Sequence, residues 1–226
     1  QPTIDEIRNM ISYNFAAQNR AVTLNDYKSV IENMPPTFGA AAKVNVMEED
    51  NKVKIKLLSY DSDGNLTDVV SNTLKDNVTE YISQYRMIND FVEIQSGEVI
   101  DLGLEIDVVI DRNEIESDVI KSIIEKTISH FAIEKRKMGD PLFTGELLKE
   151  IGSTSGVVNV VDVRVFNKTG GEYSQAEVSQ SYKTPETKEI IQADMTVYMK
   201  SNQIFQIRFP NKDIKVRVKP LTSTTF

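Results

Sequence analysis

The chain has 226 residues, with 26 Lys and Arg against 34 Asp and Glu for a net charge of −8. Its 40% apolar and 27% charged content suits a globular core, as one large domain or two small ones. Cysteine is absent and His130 is the single histidine, which excludes disulfides, thiolate nucleophiles, Cys-ligated metals and any two-His metal motif.

No run approaches the ~18 apolar residues of a membrane span. Gln1 is not followed by a charged-then-apolar leader. The acidic balance argues against a nucleic-acid footprint. Charge is unevenly spread, however. Ala193–Phe226 carries six basic and two acidic residues, leaving −12 on residues 1–192. Lys215, Arg217 and Lys219 form the densest part of this basic end. They read either as the wet face of a strand or as an edge that docks on an acidic neighbour, a second copy included.

Thr3-Ile4-Asp5-Glu6 opens the chain as a capping box, and Ile4, Ile7, Ile11 and Phe15, with Met10 beside them, follow at helical spacing. So narrow a stripe suits helix-on-helix pairing or docking on its own domain. Thr23 and Asp26 mark a second helix start, and Pro35-Pro36 stops that helix after about Met34. Residues 1–39 are therefore expected to be an N-terminal helical segment.

Residues 40–47 read as a strand, and Val53, Ile55 and Leu57 alternate with lysines as a second. Leu74, Val78, Tyr81, Ile82, Tyr85 and Ile88 share one face of a helix of about four turns. A short strand over 91–95 precedes the cleanest alternation in the chain, Leu102, Leu104, Ile106, Val108 and Ile110. Ile115 to Phe131 predicts the longest helix, closing in the basic run Lys135-Arg136-Lys137 and ended by Gly139. A short helix over 145–151 and a strand over 157–166 follow.

This order predicts an α+β fold, a mixed sheet with helices packed on one face, over a core domain of residues 40–166. Residues 167–192 are expected to form a long polar loop. Residues 193–226 are expected to form an antiparallel β meander of three strands, 195–199, 204–209 and 214–218.

Few segments offer chemistry. Asp61-Ser62-Asp63-Gly64-Asn65 looks like a calcium loop, but its glycine is fourth and its twelfth residue is Asn72, so a turn explains it better. Gly152-Ser153-Thr154-Ser155-Gly156 lacks a phosphate-loop lysine and precedes a strand. Glu105 and Asp107 could pair as a glycosidase does, but a solvated strand face accounts for them. His130, beside Phe131, reads as a rim residue. No catalytic residue, metal site or cofactor is expected. A small-ligand or calcium-binding module is the alternative.

Residues 20–46 add a resemblance. Arg20-Ala21-Val22-Thr23-Leu24-Asn25-Asp26-Tyr27 resembles the A-V-T-x-x-D-Y signature of the J-like baseplate family of contractile phage tails. Gly139-Asp140-Pro141, Leu147–Ile151 and Gly156–Val160 are similar to that family's later G…L…I…GV..V pattern. The resemblance covers about Arg20 to Phe166. It implies a structural virion protein with no catalysis, binding a second copy of itself and other baseplate wedge subunits. Thr23, Asp26 and Tyr27 are expected to serve structure: the first two start a helix, and Tyr27 packs or bonds at an element junction.

Overall fold

The computed structural model describes residues 20–178, 184, 187–190, 192 and 195–220. The stripe of Ile4, Ile7, Met10, Ile11 and Phe15 lies outside the described residues. The chain divides into two compact units, residues 1–98 and 99–226. The boundary thus falls inside the 40–166 segment that hydropathy groups as one core. Apolar periodicity shows that a strand has a buried face but not which core that face joins.

In the first unit, helix α1 (Leu24–Glu32) buries Tyr27 and Ile31. A single 3-10 turn at Pro36–Phe38 follows the prolines. Strands β1 (Lys43–Glu49) and β2 (Lys52–Tyr60) form an antiparallel hairpin. Its two turn residues, Asp50 and Asn51, have φ of 55° and 57°. That pair of left-handed residues is what a tight hairpin with right-handed strand twist requires.

The Asp61 loop joins β2 to the short β3 (Leu66–Thr67). Helix α2 (Asn72–Ser83) then crosses to β4 (Val92–Ser96), which lies parallel to β2. Ile55, Leu57, Val78 and Ile82 are buried together with Tyr27 and Ile31. The helix is shorter than its apolar spacing predicts. Ala21 N–H donates to the Tyr85 carbonyl at 2.8 Å, the chain leaves the helical path, and Ile88 ends fully exposed.

In the second unit, β5 (Glu98–Ile110) is the central strand. It pairs antiparallel with β7 (Val157–Lys168), with Leu104 opposite Val165 and Ile106 opposite Val163. The cover is helix α3 (Glu116–His130) and helix α4 (Thr144–Gly152), which contact each other, α4 also packing on β7. Leu104, Ile106, Val119, Ile123, Leu147 and Ile151 lie in one buried cluster. Helix α3 ends at His130, and Ile133–Lys135 forms a separate 3-10 turn, so Lys135, Arg136 and Lys137 lie past the helix end. Strand β6 (Leu142–Phe143) precedes α4.

The α+β class holds, with parallel and antiparallel pairing in both four-stranded sheets. The C-terminal meander does not form. Strand β8 (Thr196–Val197) pairs with β6, β9 (Gln203–Gln206) pairs with β5, and β10 (Ile214–Val218) runs parallel to β5. A helical turn at Pro210–Asp213 stands where a hairpin would need a tight β-turn. Within the 167–192 stretch, residues 188–190 lie along the end of β7: Ile190 N–H donates to Val165 O at 2.7 Å and Asn167 N–H to Lys188 O at 3.0 Å.

Candidate interaction surfaces

The A-V-T-x-x-D-Y segment folds as a helix start. Thr23 Oγ1 accepts from Asp26 N–H at 3.2 Å, and Asp26 Oδ2 accepts from Thr23 N–H at 2.8 Å and Val22 N–H at 3.0 Å. The two side chains satisfy backbone donors that the first helical turn leaves unpaired. Tyr27 is buried, and its hydroxyl donates to Asp90 Oδ2 at 2.6 Å across 63 residues of chain, joining α1 to the segment before β4. Burial first, then the Asp90 hydrogen bond and charge, hold the Tyr27 phenol above its usual range.

A cleft of about 300 Å³ lies beside this junction, lined by Val22, Leu24, Tyr27, Asp90 and Phe91 among others. Val22 and Phe91 are exposed on it. The hydroxyl of Tyr27, one of its lining residues, is already committed to Asp90.

In the second unit, the polar face of the sheet carries a ladder of charge. Glu105 Oε2 lies 2.9 Å from Arg217 Nη2 and 3.1 Å from Arg164 Nη2, and Glu105 Oε1 lies 3.8 Å from Lys215 Nζ. Asp107 Oδ2 meets Lys219 Nζ at 3.4 Å and Arg164 Nη2 at 3.8 Å. Asp107 Oδ1 is buried with no hydrogen-bond partner among the described residues. Lys215, Arg217 and Lys219 therefore find acidic neighbours within their own chain. The paired carboxylates are engaged with these cations.

Sequence reasoning missed a buried polar network on the same unit. Asp101, fully buried on β5, accepts from Ser174 N–H at 2.6 Å and from Gln206 Nε2 at 2.8 Å. Asp213 accepts from Tyr173 O–H at 2.7 Å and from Phe209 N–H at 3.0 Å. Burial pushes the Asp101 carboxyl above its usual range, and nearby Asp213 adds to this, against the pull of its two hydrogen bonds and Arg208. One partial signal was available in the sequence: Asp101 shares the alternating face of Glu105 and Asp107.

His130 is also more enclosed than a rim residue. Its Nδ1 lies 2.8 Å from Glu150 Oε2, and its side chain is 8% exposed. Burial first, then the Arg136 guanidinium, hold the imidazole below its usual range.

Asp61 Oδ1 accepts from Asp63 N–H and Asn65 N–H, both at 2.9 Å, so the loop that resembles a calcium site spends this oxygen on its own backbone. Among the described residues, no three His, Asp or Glu side chains are grouped to hold a metal ion. No described helix is long and apolar enough to cross a membrane.

The sequence matches no known family model and no curated protein. The fold does have a solved counterpart. It is similar to a chain in the cryo-EM structure of the anti-feeding prophage (AFP) baseplate, 6-fold symmetrised, with a TM-score of 0.58 and 11% identity. The match covers 91% of this chain and 42% of that one, so this chain spans less than half of its counterpart's length. At that identity the likeness is one of fold.

Proposed function

We propose that the chain is a structural subunit of a contractile-tail baseplate and catalyses no reaction. The observation that carries this reading is the fold likeness to a prophage baseplate chain over 91% of the residues. The residues of the A-V-T-x-x-D-Y motif support it, because the groups described above are spent on capping and cross-bracing.

In its finer form, the reading makes this the C-terminal part of a baseplate wedge protein of the T4-type phage kind. It would be assembled in the host cytoplasm and carried in the virion tail. Neighbouring wedges would be joined into a ring through contacts with a second copy and with other wedge subunits. Cofactors, nucleic acid and membrane have no part in this reading. Two contact regions are proposed: the stripe Ile4, Ile7, Met10, Ile11 and Phe15, and the basic strand β10 with Lys215, Arg217 and Lys219. A ring requires either a heterologous contact that closes or alternating two-fold contacts.

Light scattering after gel filtration tests the reading, with a dimer or larger assembly as the expected result. Ile7→Asp is expected to shift it to monomer, since a carboxylate buried unpaired in an apolar seam is strongly unfavourable. Cross-linking in purified contractile-tail particles is expected to join the chain to baseplate subunits. A strict monomer at high concentration, absent from such particles, overturns the proposal.

A further inference from the structure

Among the described residues, the outer edge of β10 pairs with no strand. Lys219 N–H donates to Val108 O at 2.8 Å, and the parallel register places Arg217 opposite Asp107 and Lys215 opposite Glu105. Residues 215, 217 and 219 therefore turn their N–H and C=O toward β5, and alternation turns those of Val216 and Val218 away from it. No described strand lies against that side.

Side chains along this edge sort by face. Ile214, Val216 and Val218 pack with the core cluster. Lys215, Arg217 and Lys219 stand on the other face and remain 58%, 48% and 47% exposed although each already reaches Glu105 or Asp107. With Arg164, four cations share Glu105, Asp107 and Asp162, so positive charge is in excess. The chain itself shows what such a strand accepts. On its paired side β10 lies against β5, where Leu104, Ile106 and Val108 alternate with Glu105 and Asp107.

We propose that the free edge of β10 takes a second strand of the same chemistry. The partner is an extended segment of another protein, alternating aliphatic with Asp or Glu residues, that extends the sheet through Val216 and Val218. Its carboxylates would lie against Lys215, Arg217 and Lys219. Backbone hydrogen bonds supply attachment and the alternating side chains supply selectivity, as in strand addition generally. Edge cations discourage neutral and basic strands from pairing, and the same charges favour an acidic one. The inference rests on the reading of β10 as a contact surface, but not on the baseplate assignment.

The test titrates the intact chain with a short labelled peptide alternating Val and Glu, and with a control in which every Glu is Lys, read by fluorescence anisotropy. The Glu peptide is expected to bind saturably, more weakly as salt rises, and the Lys peptide not to bind. Lys215→Glu with Lys219→Glu is expected to weaken binding about tenfold or more, equivalent to ~1.4 kcal/mol. Val216→Pro deletes an outward N–H, which an edge strand tolerates, and is expected to abolish binding while the circular dichroism spectrum is kept. If that variant does not fold, the double charge reversal on exposed side chains decides alone. The proposal falls if the Glu peptide fails to bind, if both peptides bind alike, or if the folded variants bind as the parent does. Failure here, with self-association still sensitive to Ile7→Asp, removes the strand-addition site and leaves the assembly reading standing.

Discussion

Two buried hydrogen-bonded groups contribute to the chain's response to pH at opposite ends of the scale. The Tyr27 hydroxyl donates to Asp90. In the unfolded chain a tyrosine ionises near pH 10, whereas folded Tyr27 holds its proton to higher pH. The stability it contributes is therefore fully present below about pH 10 and is lost as pH rises beyond that. Tyr27→Phe is expected to cost about 1–2 kcal/mol at neutral pH and to remove this part of the alkaline slope, measured by urea unfolding. An unchanged midpoint at neutral pH would show that the bond to Asp90 contributes nothing. Asp101 works on the acid side. Its folded carboxyl keeps a proton at pH values where the unfolded one has lost it. The folded state then binds more protons, so stability falls as pH climbs from the ordinary carboxylate range through the raised value. Asp101→Asn keeps only one of the two acceptors, turning its amide NH2 toward either Ser174 N–H or Gln206 Nε2, and is expected to cost about 1–2 kcal/mol at low pH. It removes the cost of burying a charge, so the gap to the parent is expected to narrow as pH rises. A gap constant with pH would contradict this account.

Elements were legible where local chemistry decides them. Thr23 and Asp26 announce a helix start three residues apart because capping uses only near neighbours, and the structure closes both hydrogen bonds. The alternation from Leu102 to Ile110 marks a strand because one face must be dry. Partners were less legible. Nothing in the spacing of Ile214, Val216 and Val218 distinguishes pairing with a neighbouring C-terminal strand from pairing with β5 more than 100 positions earlier. The same limit hid the Asp101 network, whose donors Ser174 and Gln206 come from distant segments. Gly156 shows a turn and a helix made for each other. Its φ is +84°, and a Cβ there would lie 2.7 Å from Val119 Cγ2 on α3. Gly156→Ala is expected to destabilise by at least about 1–2 kcal/mol from the left-handed backbone alone, with the contact adding to it. Val119→Ala in the same chain is expected to recover the contact part but not the backbone part, a non-additive pair in thermal melts. Strict additivity would show that the two residues do not meet.

At the scale of the whole molecule, each unit carries its own buried cluster, one around Ile55 and Tyr27 and the other around Leu104 and Ile106. Surfaces held in fixed geometry need a packed interior behind them, and here two cores supply it. Both Ile55 and Leu104 are fully buried on central strands. Truncating either to alanine removes methyl groups from a packed interior and is expected to cost about 2–5 kcal/mol. The stability of a region tracks the cooperative unit it belongs to. Hydrogen exchange should therefore assign each cost to its own core. Ile55→Ala is expected to speed exchange in β1, β2 and α2 with little change in β5 and β7, and Leu104→Ala the reverse. An equal loss of protection across both halves from either substitution would mean that the chain opens as one cooperative body. In that event a partner gripping the β10 edge would stabilise residues 20–98 as strongly as the strands it touches.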